Sequence, residues 1–430
     1  MTTKITEKNI SSLANAGVSW QSVIVADGST TTTGVAGRGY FINTTSATHT
    51  FTLPAIATFA DTILIKDYAG TFATNALTIA RNGHNIQGAA NNSLIGTNRA
   101  SVTLVYVDVT RGWEYVTESN VADLQAALFI TATGGTITTS GNFKIHSFTG
   151  DGCFVVATLG NAPTVPTGGP SNVDYLVVAG GGAGAPNAGA GGGAGGYRTT
   201  FPSPGCNAGS FPIAATTYPI SVGGGGAQIL NGTPGNPAIP SAGMTATNGS
   251  NSIFSTITST GGGGGATRDG SGGFTGANGG SGGGGWGFGP APGAGGTGNS
   301  PPTSPSQGNN GGIANTAPGL IGAGGGGVGA IGGNTSGSTA GTGGSGSANS
   351  ISGSSVTYAG GGGGGNDTRV GGAGSGGPGG GGDGTVTGPG GTSGTINTGG
   401  GGGGGGWNAG TVTAGGAGGT GIVVIRYKFQ

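Results

Sequence analysis

Charge is what this sequence has least of: thirteen basic and thirteen acidic side chains in 430 residues, with no net charge. That balance leaves no basic patch for nucleic acid and no acidic tail. Cysteine occurs twice, too rarely for a disulfide framework. No apolar run approaches the ~20 residues of a membrane span, and residues 1–20 lack the apolar stretch of a signal peptide. The chain is expected to be soluble, without membrane insertion and outside the Sec route. Catalytic inventory is equally thin. None of Lys4, Lys8, Lys66, Lys144 and Lys428 follows a glycine, which excludes a Gly-Lys-Ser/Thr phosphate loop. His49, His84 and His146 lack the local spacing of a metal site or triad and read as surface or strand positions. Cys153 and Cys206 read as two buried thiols. Asp151 and Asp174 flank a strand region, yet with no second acidic cluster nearby they read as solvated turn residues rather than a glycosidic pair. The expectation is a protein that is not an enzyme and takes no cofactor and no metal.

What the chain has in excess is glycine, 111 residues of it, with 20 prolines. Residues 399–406 are glycine throughout, so the strict three-residue repeat of collagen is excluded. Fourteen glycines fall in residues 1–150 and 97 in residues 151–430. All three glutamates (Glu7, Glu114, Glu118) lie in the first part. Between Tyr175 and Val424 the only charged residues are Arg198, Arg268, Asp269, Asp367, Arg369 and Asp383. Two regions of different physics share the chain, with the change near residues 121–150.

The first region reads as short β-strands. In Thr48-His49-Thr50-Phe51-Thr52-Leu53 the apolar residues fall at every second position, and Thr62-Ile63-Leu64-Ile65-Lys66 and Leu77 with Ile79 follow suit. Pro54, Asp67, Asn82-Gly83 and Arg111-Gly112 punctuate these runs, Asn-Gly being suited to positive φ in a tight turn. Residues 102–109 are apolar on both faces (Leu104 and Tyr106 on one, Val105 and Val107 on the other), which calls for cover by a second sheet or another subunit. Residues 1–16, with Ile5, Ile10 and Leu13 spaced loosely as on a helix, form an arm without a core that docks elsewhere.

In the second region a β-type segment repeatedly leads into a glycine run. Val173–Ala179 precedes Gly180, Tyr218–Val222 precedes Gly223, Ile253–Thr260 precedes Gly261, and Val356–Ala359 precedes Gly360; further runs start at Gly324 and Gly399. A strand-then-glycine order argues for structure rather than a disordered linker. Each glycine costs about 1 kcal/mol relative to alanine in an α-helix. An extended left-handed helix of three residues per turn makes no internal hydrogen bonds and sends its N–H and C=O groups outward. Glycine alone lets neighbouring backbones approach on every side to meet them. The fold class expected is all-β: a short-strand module followed by short strands and packed polyglycine II helices, whose connecting loops alone keep free chemistry.

Asp174–Gly182, Gly195–Thr199, Gly249–Ser255, Val356–Gly361 and the terminal Gly421–Tyr427 carry a family resemblance. They resemble the glycine-rich domain of bacteriophage tail-fibre and other virion proteins, notably of marine and cyanobacterial phages. Gly37–Phe41, Ile65–Gly70, Thr103–Asp108 and Gly112-Trp113 are similar to a β-structured module of phage fibres. The resemblance implies a virion protein, made in the host cytoplasm and usually homotrimeric. It implies an N-terminal part attached to another virion protein, and a distal part whose tip loops touch a host-cell receptor, a glycan or an outer-membrane protein.

The layout expected is an attachment arm over residues 1–20, a β-structured module over 21–120, a linker and β segment over 121–172 and a glycine-rich domain over 173–430. Bulky or charged side chains in that domain are the candidate receptor contacts: Trp286, Phe288, Phe274, Arg268, Asp269, Asp367, Arg369 and Trp407. Specificity is expected in loops 266–275 and 286–319. A tail-fibre adhesin and a structural decoration or head fibre without a dedicated receptor both remain open.

Overall fold

The computed structural model describes residues 18–119, 126–165, 167–201, 210–229, 245–267, 274–289, 292–315, 317–369, 371–408 and 410–430. The arm over residues 1–16, Cys206, Arg268 and Asp269 lie outside the described residues. Among those described there is no helix; every regular element is a strand. The chain divides into two compact units, Met1–Leu128 with Gly160–Pro170, and Phe129–Leu159 with Ser171–Gln430. The stretch expected as a linker is thus divided between the two.

In the first unit successive strands alternate between two sheets. Ser19–Trp20, Ile24–Val25, Arg38–Asn43 and Thr62–Asp67 belong to one, and Thr31–Thr33, His49–Thr52 and Leu77–Ala80 to the other. Neighbours within each of these sets pair in parallel. Parallel strands need a crossover, and here the intervening strand of the opposite sheet supplies it, so the chain coils with one strand per sheet per turn. The coil ends in antiparallel strands: Ser93–Ile95 on one sheet and the hairpin Ser101–Asp108/Gly112–Ser119 on the other. The period-two pattern read from the sequence buries Phe51, Leu53, Ile63, Ile65, Leu77 and Ile79 between the sheets, with Trp113 beneath them. Along Ser101–Asp108, Val102, Leu104 and Tyr106 are buried and Val105 and Val107 are half-buried. Asn82 and Gly83 take positive φ (49° and 92°) directly after a strand. The buried Asp67 carboxylate ends another strand by accepting the backbone N–H groups of Gly70 (2.9 Å), Phe72 (3.3 Å) and Arg99 (2.8 Å).

The second unit starts from two sheets at one end. The first orders Thr136–Ser140, Phe143–Phe148, Ile422–Lys428, Asn172–Val178 and Tyr197–Thr199, and the second Thr131–Thr133, Gly152–Thr158, Thr217–Ser221, Ser252–Phe254 and Ile257–Ser259. The C-terminal strand is central: Ile425 lies opposite His146 on one side and Tyr175 on the other. Phe148, Phe154, Tyr175, Phe254, Val423, Ile425 and Tyr427 form the core of this end.

Beyond the strands the glycine runs bond to one another with a period of three. In residues 189–196, Gly189, Gly192 and Gly195 donate to the carbonyls of Gly405, Gly402 and Gly399; Ala190, Gly193 and Gly196 donate to Ala266, Gly263 and Thr260; Gly191 and Ala194 donate to Ala323 and Gly326. Each third residue returns to the same neighbour, two neighbours running antiparallel and one parallel. That is the pattern of an extended chain with three residues per turn. Polyglycine II helices are not resolved as elements; the threefold hydrogen-bond pattern is what the runs display. Side chains are excluded by contact: a Cβ on Gly192 would stand 2.2 Å from the carbonyl oxygen of Gly182, and one on Gly401 2.0 Å from that of Gly192. At the margins, asparagine side chains replace backbone acceptors. Asn251 and Asn248 offer Oδ1 to the N–H of Gly261 (2.9 Å) and Gly264 (2.8 Å), again three residues apart.

Candidate functional site

The two large sheets of this unit lie at one end of the glycine runs, and turns and short two-stranded pairings lie at the other. At about 3.1 Å per residue, residues 180–185 carry the chain roughly 19 Å beyond Asn172–Val178 before the turn at residues 186–188, where Asn187 and Ala188 take positive φ. Thr267 Oγ1 donates to the Pro186 carbonyl (3.0 Å) and Asn187 N–H to that of Thr413 (3.4 Å), which ties three turns together.

Across this far end runs a continuous row of short pairings. Phe274 bridges Trp286; Trp286–Gly289 pairs with Ala317–Gly322; Ile321 bridges Asn366; Asp367 bridges Trp407; and Trp407–Asn408 pairs with Thr411–Val412. Of the candidate contact residues within the described chain, Phe274, Trp286, Phe288, Asp367 and Trp407 fall on this row, and Arg369 lies in the turn just after Asp367. Partners on the row as far apart in sequence as Ile321 and Asn366 or Asp367 and Trp407 could not be matched from the sequence, because glycine lattices carry no side-chain pattern from which register could be read.

Their burial differs. Trp286 is 1 % exposed, packed with Ala188, Ala190, Ala266 and Leu320, and Phe274 and Trp407 rest against that cluster. Trp286 Nε1 has no hydrogen-bond partner among the described residues. Trp286 therefore anchors the far end from beneath, a correction to its expected role as an exposed contact. Phe288, two residues on and stacked beside it (ring centroids 6.3 Å apart), is 42 % exposed. Asp367 is fully buried, also contrary to a direct contact role, while the Arg369 side chain is 60 % exposed. Asp367 accepts the Arg369 backbone N–H and Nε–H at 2.9 Å and also Nη2–H. The guanidinium lies 4.2 Å from the centre of the Trp407 ring. Burial raises the Asp367 pKa, but the stronger combined effect of the Arg369 hydrogen bonds and charge leaves it below the ordinary carboxylate value.

Sequence reasoning missed three residues here. Asn366, fully buried, donates through Nδ2 to the carbonyls of Ser338 (2.7 Å) and Gly372 (2.9 Å) and accepts from Asp367 N–H (2.8 Å), fixing the turn that presents Arg369. Thr368 Oγ1 donates to Asn408 Oδ1 (3.1 Å), and both residues are exposed. The stretch expected as a single loop over 286–319 is not one. Residues 293, 296, 311, 312 and 314 are bonded into the lattice, and the chain turns back near residues 300–306 at the strand end, where Gln307 Nε2 donates to Thr260 Oγ1 (3.2 Å).

The remaining polar candidates are individually engaged. Asp151 accepts from Val222 N–H (2.8 Å) and Ser221 Oγ (3.2 Å). Asp174 sits within a strand rather than a turn, opposite Arg426 and bonded to Thr200 Oγ1 (3.1 Å), and burial raises its pKa. Arg426 is sandwiched between the rings of Phe143 (4.1 Å) and Phe201 (4.5 Å). His49 and His146 are buried, and Cys153 is exposed rather than buried. Among the described residues no group of three or more His, Cys, Asp or Glu could hold a metal ion, and no helix is long and apolar enough to cross a membrane.

A family model described as a glycine-rich domain matches residues 157–428. Comparison with curated proteins gives no match.

Proposed function

We propose, for a chain that belongs to the glycine-rich domain family, that it is a bacteriophage virion fibre protein, a receptor-binding tail-fibre component that mediates attachment to the host cell. In this reading the N-terminal region joins another virion protein, three copies associate, and the far end of the glycine unit meets the receptor. The observation that carries it is the distribution of side chains. A block bonded internally through its backbone has few groups to spare for a partner, and Phe274, Trp286, Phe288, Asp367, Arg369 and Trp407 gather along one row at the end away from the two large sheets. Phe288 and Arg369 are that row's exposed aromatic and charged side chains, and Trp286, Asn366 and Asp367 hold them in place. The likeness to phage fibres in the non-glycine segments supports the same reading. Antibody labelling of virions tests it: label at the tail tip is expected, whereas label spread over the capsid would replace it with a head-fibre or decoration role.

A further inference from the structure

We propose that Arg369, Thr368 and Asn408 form a subsite for a neutral, hydroxyl-rich saccharide. The inference rests on the receptor-binding reading and names the ligand class for that surface.

The guanidinium of Arg369 is fixed on two sides. Its Nε–Nη2 edge is bound to the buried Asp367 carboxylate, and one face lies on the Trp407 ring. Its Nη1 has no partner among the described residues, on a side chain that is 60 % exposed. Arginine is planar and its donors form a rigid fork, so fixing one edge fixes the direction of the other. Beside it, the Thr368 hydroxyl occupies Asn408 Oδ1, and the Asn408 Nδ2 donors of this exposed residue have no partner among the described residues. Thr368 and Asn408 are exposed, and the segments that carry them are held together by the Asp367–Trp407 bridge and by Thr368 N–H on the Trp407 carbonyl (3.1 Å). The result is a small, preorganised patch of N–H donors that calls for a group of oxygen acceptors.

Charge selects among acceptors. The Asp367 carboxylate neutralises Arg369 at contact distance, and the patch has no net charge to attract an anion. A second carboxylate or a phosphate would also lie close to the buried carboxylate of Asp367 and be repelled by it. Sugar hydroxyls and ring oxygens accept the same hydrogen bonds without that repulsion. The row extends the surface: Phe288 stands on a strand two positions across from Asp367, through Ile321 and Asn366. At about 4.8 Å per strand the two are roughly 10 Å apart, a span for a short oligosaccharide with an aromatic ring under one unit.

The test applies the full-length protein to a printed array carrying neutral and acidic oligosaccharides. Signals on neutral glycans are expected, reduced at least tenfold by Arg369→Lys, which keeps the charge and loses the fork, and by Asn408→Ala, with the melting temperature of the Asn408 variant unchanged. Signals confined to acidic glycans, signals unaffected by these substitutions, or no signal on any glycan would overturn the proposal. A parallel adsorption assay with virions carrying Phe288→Ala separates the two readings. Impaired adsorption without glycan binding leaves receptor attachment standing and points to a protein ligand; Arg369-dependent glycan binding with normal adsorption leaves the saccharide site standing and removes the attachment role.

Discussion

Gly192 and Gly224 are the same residue in opposite surroundings. A Cβ on Gly192 would stand 2.2 Å from the Gly182 oxygen, and backbone on a bonded neighbour cannot swing aside. Gly224 has nothing within 4 Å of where its Cβ would be. Gly192→Ala is expected to destabilise the glycine-rich unit by about 3 kcal/mol or more through overpacking, while Gly224→Ala is expected to be neutral or stabilising by up to about 1 kcal/mol through the entropy of the unfolded chain. Denaturant melts of the two variants check this, and equal effects would mean the close packing is not what fixes glycine at these sites. His146 makes a different residue-scale prediction. Its ring is buried, with Nδ1 on the Gly134 carbonyl (2.7 Å) and Nε2 on the Tyr427 hydroxyl (3.1 Å), and burial pushes its pKa below the ordinary 6.5. The native state then takes up a proton less readily than the unfolded chain. Stability from this group is full above the unfolded value and falls as the pH drops below it towards the folded value, by at most about 1.4 kcal/mol per pH unit. Urea melts between pH 7.5 and pH 5 are expected to show a shallower pH dependence for His146→Gln than for the unaltered chain; identical slopes would refute the assignment.

At the scale of elements, the margins of the glycine lattice depend on asparagine. Asn248 accepts the N–H of Gly264, a buried residue that otherwise lacks an acceptor on that side. Asn248→Ala leaves the donor unpaired and is expected to cost about 1–3 kcal/mol, whereas Asn248→Asp keeps an acceptor and is expected to cost less; equal losses for the two would remove the capping role. These caps were not legible in the sequence, since an asparagine in glycine-rich sequence reads equally well as a turn. The strands that precede the runs were legible from β-branched and aromatic clusters. The coil of the first unit was not. Its alternation of apolar and polar residues has period two whether strands pair in parallel or not, so Phe51 and Ile63 announce a buried face without announcing which strand lies beside them. For the same reason Trp286 and Phe288 could not be told apart: both stand in Trp-Gly-Phe-Gly, and only Leu320 and Ala188, brought in from elsewhere, decide which of them is covered.

For the whole molecule, the proposed trimer predicts a particle mass of three times the 40.0 kDa chain in mass photometry, and a stable monomer at micromolar concentration would refute it. The scale at which the two units differ most is thermal. The first unit buries rings and aliphatic side chains between two sheets. Much of the second is backbone bonded to backbone, in which residues 189–196 or 399–406 bring almost no hydrocarbon out of water. Exposing apolar surface raises heat capacity on unfolding and exposing peptide groups lowers it. Calorimetry of the full chain is therefore expected to give a heat-capacity increment well below the usual ~12–15 cal/mol/K per residue, and an ordinary increment would contradict a lattice held by backbone bonds. A small increment flattens the curve of stability against temperature. The glycine block then loses little on cooling, and its cohesion is nearly as firm in cold water as in warm.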